Sequence, residues 1–551
     1  MLPIDRTTLG LQLGAFAVIL ACAIAGSRGV TTRRGGQLSV IGLWVSRVLL
    51  PVTSHRERFV VSAFVLAAAI SAILIGQLIF QGFPYAGDEW SYLLQAEIFS
   101  RGRLHVDSPP HPRFFDVWAM VNDGRFYSWV PPGWPLLLLP GILLGVPWLV
   151  NPVLGALTLL IVYRLGELVY DRATSLLALF FMLFSPFFIL HSASYLAHPS
   201  SLFFIALCVF FYARGIEKEA SRDFFLAGLC GSMSFLIRPF DQVAIFSPLG
   251  AYLLFQVLKR KVAVRQLLWL GMSHALGVLL MLAYNYLQTG NPLILGYHVG
   301  YDGPLFDLRL LGRRFIAEYF LHLLVWTFPF LPLLALLNSI WPGATGRRSL
   351  TEQRWDTLLL LVFLSNVFWY AFVPFHYWAG YGPRYYYGSF FAVALLGARG
   401  AMALINRLKT HTAGEVRVGF AAVALGICLT LSLSWVFPVK LVEVYRRIDA
   451  RLALYYKVAE ERLQNAVVFI GSVKEEFAPW NLTRNSSDFR GTVLYVHDLG
   501  ELNHLLIKQY PGRRFFRHEY DETKKPILWE ITPEVAIDEA SSSKERLSRE
   551  R

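Results

Sequence analysis

The chain has 551 residues, of which 55% are hydrophobic and only 16% are charged, and its mean hydropathy is +0.46. Soluble proteins carry roughly a quarter charged residues, so this composition excludes an ordinary soluble protein. The net charge of +13 does not indicate nucleic-acid binding, because most basic residues before position 440 lie in short loops between apolar segments.

Apolar segments close to the roughly 20 residues that a bilayer-spanning helix needs recur along the first 437 residues. The first, at 9–25, has no net positive charge before it and basic residues after it, which favours a retained helix over a cleaved signal peptide. Hydropathy predicts spans near 9–26, 59–80, 147–168, 174–191, 198–213, 223–238, 242–258, 267–287, 317–340, 357–374, 388–405 and 418–437. The predicted fold class is therefore a mainly α polytopic membrane protein with about 11–13 transmembrane helices.

Basic residues predict the orientation of these spans. Loops with three to six Lys or Arg each lie at 27–58, 214–222, 259–265, 341–355 and 402–417. The connection at 81–132 holds four Arg against six acidic residues. Because Lys and Arg are enriched in cytoplasmic loops, the basic loops are predicted to be cytoplasmic. The connections at 81–132, 288–316 and 375–387 and the C-terminal region then face outward.

The connection at 81–132 is too long for a simple turn, and loops of that length usually carry function or structure of their own. Residues 133–146 are rich in Pro and Gly and too short for a confident span. They are predicted to form a helix that lies in the outer membrane interface.

The character of the sequence changes after Pro438. Residues 439–464 and 499–510 have helical periodicity, and 465–470, 491–496 and 526–531 resemble short strands, which predicts a small extracytoplasmic α/β domain. The predicted regions are an extra N-terminal transmembrane helix with a basic cytoplasmic loop at 1–58, a transmembrane region at 59–437 with its first outer loop at 81–132, the α/β domain at 438–533, and a disordered tail at 534–551.

The strongest local signal is a pair of carboxylates, Asp88 and Glu89, in the segment 87–92 (GDEWSY). A helix N-terminus explains both, because acidic residues there cap free N–H groups and complement the helix dipole. Their position just outside a membrane helix also suits a general base that takes a proton from a hydroxyl or an amine. The two explanations are compatible, and both residues are predicted to be catalytic.

A second signal is the segment 376–387 (HYWAGYGPRYYY), at the outer end of a predicted span. Arg384, between a proline and three tyrosines, is well placed to bind a phosphate bidentately. Interfacial anchoring of Tyr and Arg is the structural alternative. Arg384 and Tyr385 are predicted to bind substrate, and His376 is a further candidate, although a lone histidine is more often structural.

Arg238 stands at the outward end of an apolar helix, followed by Pro239 and Asp241. An arginine embedded in a membrane is costly and tends to be either paired or functional. Asp241 is the obvious partner, and a second phosphate ligand is the alternative.

Four histidines, His105, His111, His191 and His198, scatter over the predicted outer face without metal-ligand spacing. No cofactor is therefore assigned. A divalent metal would bind only where the fold brings ligands from distant positions together. Phosphate-loop and dinucleotide-binding signatures are absent, which argues against nucleotide chemistry.

Taken in order, these segments resemble the GT-C superfamily of polytopic glycosyltransferases. Within it, they are most similar to the branch of protein O-mannosyltransferases and lipid A aminoarabinose transferases. The resemblance spans residues 59–437 and is carried by 87–92 (GDEWSY), 101–104 (RGRL), 131–136 (PPGWPL), 237–239 (IRP), 284–286 (YNY), 290–292 (GNP) and 382–385 (GPRY). Each motif is short, and their order and placement give the resemblance its specificity.

The resemblance implies transfer of a sugar from a polyprenyl- or dolichyl-monophosphate donor to a lipid, glycan or protein acceptor. It implies an integral protein of a bacterial inner (plasma) membrane, surrounded by membrane lipids, with its active site on the periplasmic or extracellular face. In the family, an acidic residue of the first outer loop is the base that activates the acceptor. That residue corresponds to Asp88, with Glu89 supporting it or binding substrate.

The family also binds the lipid phosphate with basic residues at the outer membrane boundary. Here the resemblance points to Arg384 and Arg238, with Arg103 and Arg125 as weaker candidates. Some relatives have a lysine just before the Pro-Pro of the first loop, where this chain has 128–130 (SWV). Another group must therefore supply that charge.

Other classes of protein also fit part of the pattern. A polytopic transporter or lipid flippase is the main alternative, but it predicts internal repeats and charges along a pathway, whereas the charges here gather at one membrane face. A non-catalytic scaffold and a GT-C enzyme that transfers oligosaccharide from a lipid diphosphate are further alternatives.

Overall fold

The computed structural model describes residues 54–300, 306–307, 317–340, 349–373, 381–411, 414–471, 482–521 and 525–532. The predicted span at 9–26, the candidate His376 and the predicted tail at 534–551 lie outside these residues. The described residues fall into two units. The helical unit lies within Met1–Leu78, Trp148–Leu280 and Gly303–Val444, and the mixed unit lies within Ile79–Pro147, Met281–Asp302 and Tyr445–Arg551.

Helices make up most of the described chain. They are α1 (Ser54–Leu78), α2 (Gly87–Ser100), α3 (Gly133–Leu143), α4 (Val150–Val169), α5 (Arg172–Leu183), α6 (Pro186–Ala193), α7 (His198–Lys218), α8 (Ser221–Ile237), α9 (Pro239–Leu258), α10 (Val264–Thr289), α11 (Gly296–Gly300), α12 (Ala317–Trp326), α13 (Leu331–Ile340), α14 (Leu350–Tyr370), α15 (Phe390–His411), α16 (Gly414–Leu431), α17 (Phe437–Glu460) and α18 (Asn503–Gln509).

Within the described residues, seven helical segments are long and apolar enough to cross a membrane, and an eighth span exists if the bent pair α5 and α6 is counted as one. The two members of that pair meet at 63°, where Pro186 begins α6. Proline cannot continue the hydrogen bonding of the helix before it, so a predicted single span becomes two segments. The predicted mainly α polytopic membrane fold is confirmed.

Two predicted boundaries differ from the structure. The predicted span at 317–340 consists of two ten-residue helices, α12 and α13, with Phe330 in the left-handed region between them. Pro438, where the sequence changes character, does not end a helix. A π turn at Ser432–Val436 precedes it, and one apolar helical segment continues from 423 to 460.

Small residues let the helices of the helical unit approach one another closely. A side chain at Gly228 would meet the Leu270 carbonyl oxygen at 2.4 Å, and one at Gly400 would meet the Leu334 carbonyl oxygen at 2.0 Å. Apolar association of helices in a bilayer depends on such close packing, because lipid is as apolar as the side chains. These glycines therefore fix the contacts of α8 with α10 and of α13 with α15.

The mixed unit contains two small sheets. Strands β1 (Val106–Asp107), β2 (Met120–Asp123) and β3 (Arg125–Ser128) form an antiparallel sheet in the order β1-β3-β2. Gly124, at φ +71°, makes the tight turn between β2 and β3. These strands were not predicted from the sequence, although the Asp-Gly dipeptide that joins two of them is a hairpin signal.

The second sheet consists of β4 (Ala466–Ile470), β5 (Val493–His497), β6 (Arg514–Tyr520) and β7 (Pro526–Ile531), in the order β5-β4-β6-β7. Strand β4 is parallel to β5 and β6, and β7 is antiparallel to β6. Three of these strands and α18 were predicted. Strand β6 was missed because its charged residues break up the apolar pattern.

The loop at 81–132, predicted to be the first outer loop, and the second sheet share one hydrophobic core. Phe114 and Phe115, in a 3₁₀ turn of that loop, pack with Val467 and Phe469 of β4 and with Leu494 of β5. The predicted loop at 81–132 therefore folds together with the C-terminal strands.

His518 makes the stability of this sheet dependent on pH. Its side chain is 0% exposed in β6, and burial lowers its pKa to about 4, from about 6.5 in an unfolded chain. The neutral ring is therefore the native form. Above about pH 6.5 the ring is neutral in the folded and the unfolded chain, and the free energy of unfolding is at its full value. As the pH falls towards 4, the unfolded chain binds the proton first, so the free energy of unfolding decreases by an amount of order 3 kcal/mol.

We expect His518→Phe to flatten the loss of stability of the sheet between pH 6.5 and 4.5. Hydrogen exchange of the amides of β4 and β6 in the full chain, corrected for intrinsic rates, measures this. An equally steep pH dependence in His518→Phe and the unmodified protein would show that another group causes it.

Candidate active site

Asp88 lies in the first turn of α2 and is partly exposed. One of its carboxylate oxygens, Oδ1, accepts a hydrogen bond of 2.8 Å from the indole Nε1 of Trp118. A carboxylate at a helix N-terminus is also favoured by the helix dipole. The group is therefore oriented by a side chain and accessible at its partly exposed surface, as a base for an external hydroxyl or amine would need to be.

Glu89 takes a different position. It is fully buried, and its Oε2 accepts a hydrogen bond of 2.9 Å from the backbone N–H of Tyr85. Such a bond satisfies a donor just before the helix and fixes the path of the chain into it. Glu89 therefore fixes the backbone that leads into the helical turn carrying Asp88.

Trp118 approaches α2 very closely. A side chain at Gly87 would lie 2.7 Å from Cδ1 of Trp118, so only glycine leaves room for the indole. The Trp118 ring is 41% exposed and meets the ring of Trp129 edge-on, with centroids 5.7 Å apart. Trp118 was not predicted from the sequence, since it lies 30 positions from Asp88; the glycine that precedes the carboxylate is the local signal of its approach.

Two arginines of the C-terminal part of the mixed unit hold the chain just before α2. Arg451 donates to the carbonyl oxygen of Tyr85 and lies over its ring, at 4.4 Å from the centroid. Arg484 donates to the carbonyl oxygen of Pro84 and lies 3.7 Å from the centroid of Phe83. The C-terminal residues thereby position the segment that carries Asp88.

The two weaker arginine candidates are exposed. Arg103 follows α2, and Arg125 begins β3 and donates a 3.1 Å hydrogen bond to the carbonyl oxygen of Gln288. The same glutamine contacts Nδ1 of His105 at 3.3 Å. Arg125 therefore connects the first outer loop to the end of α10.

The motif segments at 284–286 and 290–292 belong to this connection. Tyr284 and Asn285 of the first segment line a narrow cleft together with residues of 127–131, 281–289 and 295–297. A side chain at Gly296 would meet the carbonyl oxygen of Trp129 at 2.2 Å, so this glycine permits close contact with the first outer loop. Residues 284–286 lie in α10, and 290–292 form part of the turn that follows it.

In the helical unit, Arg238 has the predicted partner. Its Nε lies 2.7 Å from Oδ2 of Asp241, and its Nη2 donates to the hydroxyl of Tyr370 at 2.9 Å. Asp241 is only 1% exposed and also accepts from the hydroxyls of Tyr370 and Ser201. Such a network satisfies a carboxylate that would otherwise be costly to bury.

Arg384 begins a 3₁₀ helix, Arg384–Ser389, that follows Gly382 at φ +89°. Its guanidinium lies 5.3 Å from the ring centroid of Tyr385, and the guanidinium of Arg238 lies 5.6 Å from the same ring. Tyr385 is stacked on Tyr370, with centroids 4.8 Å apart. The structure thus gathers Arg238, Arg384 and Tyr385, three residues selected from separate parts of the sequence.

We call Arg238, Asp241, Tyr370, Arg384 and Tyr385 the arginine cluster. It holds two guanidinium groups and one carboxylate, so these five residues carry a net positive charge. Aromatic faces attract guanidinium groups and help to hold two of them close together. A planar guanidinium presents two parallel N–H donors, so a cluster of this kind suits an anionic ligand such as a phosphate.

Two of the four scattered histidines also come together. The rings of His191 and His198 have centroids 5.7 Å apart, and His191 stacks on Tyr387 at 4.4 Å. No group of three or more His, Cys, Asp or Glu side chains within the described residues is arranged to hold a metal ion.

Comparison with known proteins gives the class of this fold. Residues 146–284 match the family model of dolichyl-phosphate-mannose-protein mannosyltransferase. A search of the curated proteins finds no match.

Similar solved structures include the following membrane glycosyltransferases. ArnT from Cupriavidus metallidurans bound to undecaprenyl phosphate has a TM-score of 0.54 at 12% identity, over 85% of this chain and 97% of that one. Its apo state has a TM-score of 0.51 at 13% identity, over 86% and 98%. The archaeal oligosaccharyltransferase AglB from Archaeoglobus fulgidus has a TM-score of 0.46 at 12% identity, over 84% and 70%.

At these identities, the likeness to ArnT shows the fold. The chain is an integral membrane protein with the GT-C glycosyltransferase fold, and the resemblance predicted from its motifs is confirmed.

Proposed function

We propose that this protein is a glycosyltransferase that moves a sugar from a polyprenyl-monophosphate donor to an acceptor on the extracytoplasmic side of the membrane. The observation that carries the proposal is the arginine cluster, which places two guanidinium groups on one tyrosine ring in the helical unit. The match to a dolichyl-phosphate-mannose-dependent family and the undecaprenyl phosphate bound to ArnT support a lipid phosphate as its ligand.

The donor's polyprenyl tail stays in the bilayer, and its phosphate binds Arg384 and Arg238. A guanidinium presents two parallel N–H donors that match phosphate oxygens, and this geometry is stronger than contact with a point charge. The phosphate is also the leaving group. Its negative charge grows as the sugar departs, so the arginines stabilise the transition state more than the bound donor.

Asp88 takes the proton of the acceptor hydroxyl or amine. The acceptor oxygen or nitrogen then forms a bond to the anomeric carbon, while the bond from that carbon to the phosphate oxygen breaks. The products are the glycosylated acceptor, polyprenyl phosphate and protonated Asp88. A single displacement of this kind inverts the anomeric configuration.

The purified protein, reconstituted with undecaprenyl-phosphate sugars and a panel of lipid, glycan and peptide acceptors, tests the proposal. We expect transfer, or slow donor hydrolysis, with inversion at the anomeric carbon as measured by NMR. Translocation of a polyprenyl-phosphate lipid without turnover of any donor would instead support a flippase, and neither activity would support a scaffold.

We expect Trp118→Phe to lower kcat about tenfold with little change in the KM of the donor. The substitution keeps an aromatic ring beside Gly87 but removes the N–H that orients Asp88, and one hydrogen bond to a charged group is worth about a factor of ten or more. Trp529→Phe, at a 56% exposed tryptophan of β7, is the matched control and should retain full activity. An unchanged kcat in Trp118→Phe would show that the indole does not position the base.

A further inference from the structure

His191 and His198 are held next to the arginine cluster by a rigid connection. His191 lies in the last turn of α6 and His198 is the first residue of α7, and both are buried. The amide of Asn151 donates to the carbonyl oxygens of Ser194 and Leu196, at 2.7 and 2.8 Å. The chain between the two histidines is thereby fixed, and so is the direction in which their rings enter the unit.

The two imidazoles differ in their hydrogen bonding. Nδ1 of His191 contacts the carbonyl oxygen of Phe187 at 2.8 Å, which assigns a proton to that nitrogen because a carbonyl only accepts. His198 is 1% exposed, and neither of its ring nitrogens has a hydrogen-bond partner among the described residues. A neutral imidazole always carries one N–H, and a buried donor without an acceptor lowers stability. A phenylalanine would fill the same space without that cost.

The surroundings of His198 identify the chemistry of a suitable acceptor. Its ring lies 6.3 Å from the ring of Tyr385, the side chain on which the guanidinium groups of Arg238 and Arg384 both rest. An anion bound by these arginines would therefore lie beside the N–H of His198 and accept from it.

We propose that His198 is a further ligand of the donor's phosphate, giving a neutral N–H to an oxygen whose charge Arg238 and Arg384 balance. This role rests on the proposed function, because it takes the ligand of the arginine cluster to be a lipid phosphate. His191 packs edge-on against His198 and stacks on Tyr387, so it supports the orientation of the His198 ring.

Binding of undecaprenyl phosphate to the full-length protein in nanodiscs tests this role, with undecaprenol as the probe that lacks the phosphate. We expect His198→Phe to raise the Kd for undecaprenyl phosphate about tenfold or more, the effect of one hydrogen bond to a charged group. Its Kd for undecaprenol should not change, and its Tm should be equal to or above that of the unmodified protein. His198→Gln, which keeps an N–H donor, should recover part of the loss.

His274→Phe is the matched control, because this histidine belongs to the same unit and its ring packs against Phe235 rather than against a residue of the arginine cluster. It should leave binding of both lipids unchanged. Unaltered binding of undecaprenyl phosphate by His198→Phe would overturn the role of His198. If the KM for the donor rises while that binding stays unaltered, His198 contacts the sugar of the donor and not its phosphate. Equal weakening for both lipids together with a lower Tm would also overturn it. If the unmodified protein does not prefer undecaprenyl phosphate to undecaprenol, the proposed function itself fails.

Discussion

Asp88→Asn is expected to lower kcat for sugar transfer by about 100- to 10,000-fold, the usual contribution of a positioned general base. Asparagine keeps an Oδ1 that can accept from Trp118 Nε1, so the local geometry survives. It cannot take a proton from the acceptor at neutral pH. Binding of undecaprenyl phosphate should therefore remain close to that of the unmodified protein, and single-turnover kinetics with bound donor should locate the loss in the chemical step.

The matched control for this variant is Asp107→Asn, which neutralises an exposed aspartate of β1 in the same unit. It should retain full turnover and so exclude a general effect of charge. Wild-type kcat in Asp88→Asn, with the fold intact, would mean that another group activates the acceptor. Glu89→Gln should instead change stability, because its carboxylate is buried and bonded to the backbone N–H of Tyr85.

The membrane helices were predictable because a span is decided by local composition. Hydropathy alone indicated α1, α4, α7, α9 and α10 within a few residues, because each of these helices is apolar along most of its length. The break between α5 and α6 and the division of 317–340 were not predicted, because they interrupt an apolar run without changing its hydropathy. What decides them is a proline or a left-handed residue at one position.

The strands of the mixed unit were also predictable only where local composition decides them. Strand β4 is buried along its whole length and reads as a continuous apolar run, as a strand covered on both faces should. Strand β6 lies next to β4 inside the same sheet. Unlike β4, it carries charged residues at its more exposed positions, namely Arg514, Arg517 and Glu519. Its assignment depends on pairing with β4 and β7, which no local pattern records.

Within the candidate site, contacts between near neighbours were predictable and long-range ones were not. The pairing of Arg238 with Asp241 follows from a spacing of three residues and the cost of an unpaired charge in a membrane. The contact of Trp118 with Asp88 and the approach of His198 to Tyr385 join residues far apart in the chain. A single sequence contains the side chains of such contacts but not their distances.

The second large effect is expected at Arg384. Arg384→Gln should raise the Kd for undecaprenyl phosphate, and the KM for the donor, about 10- to 100-fold, because it removes a charge and a bidentate donor pair. Arg384→Lys keeps the charge but not the planar fork, so its loss should be intermediate. Titration of the lipid into the protein in nanodiscs measures both variants, and equal affinity for all three proteins would exclude Arg384 from the phosphate site.

Arg238 requires a different design, because its charge has two tasks. Arg238→Gln alone would leave Asp241, at 1% exposure, without its cation, and an uncompensated buried carboxylate costs about 3–5 kcal/mol. A loss of binding in that variant would then report unfolding as much as phosphate recognition. The double variant Arg238→Gln/Asp241→Asn removes both charges and should restore the Tm while lipid-phosphate affinity stays at least tenfold weaker. Recovery of affinity together with the Tm would mean that Arg238 serves Asp241 alone, and that Arg384 is the cation that meets the phosphate.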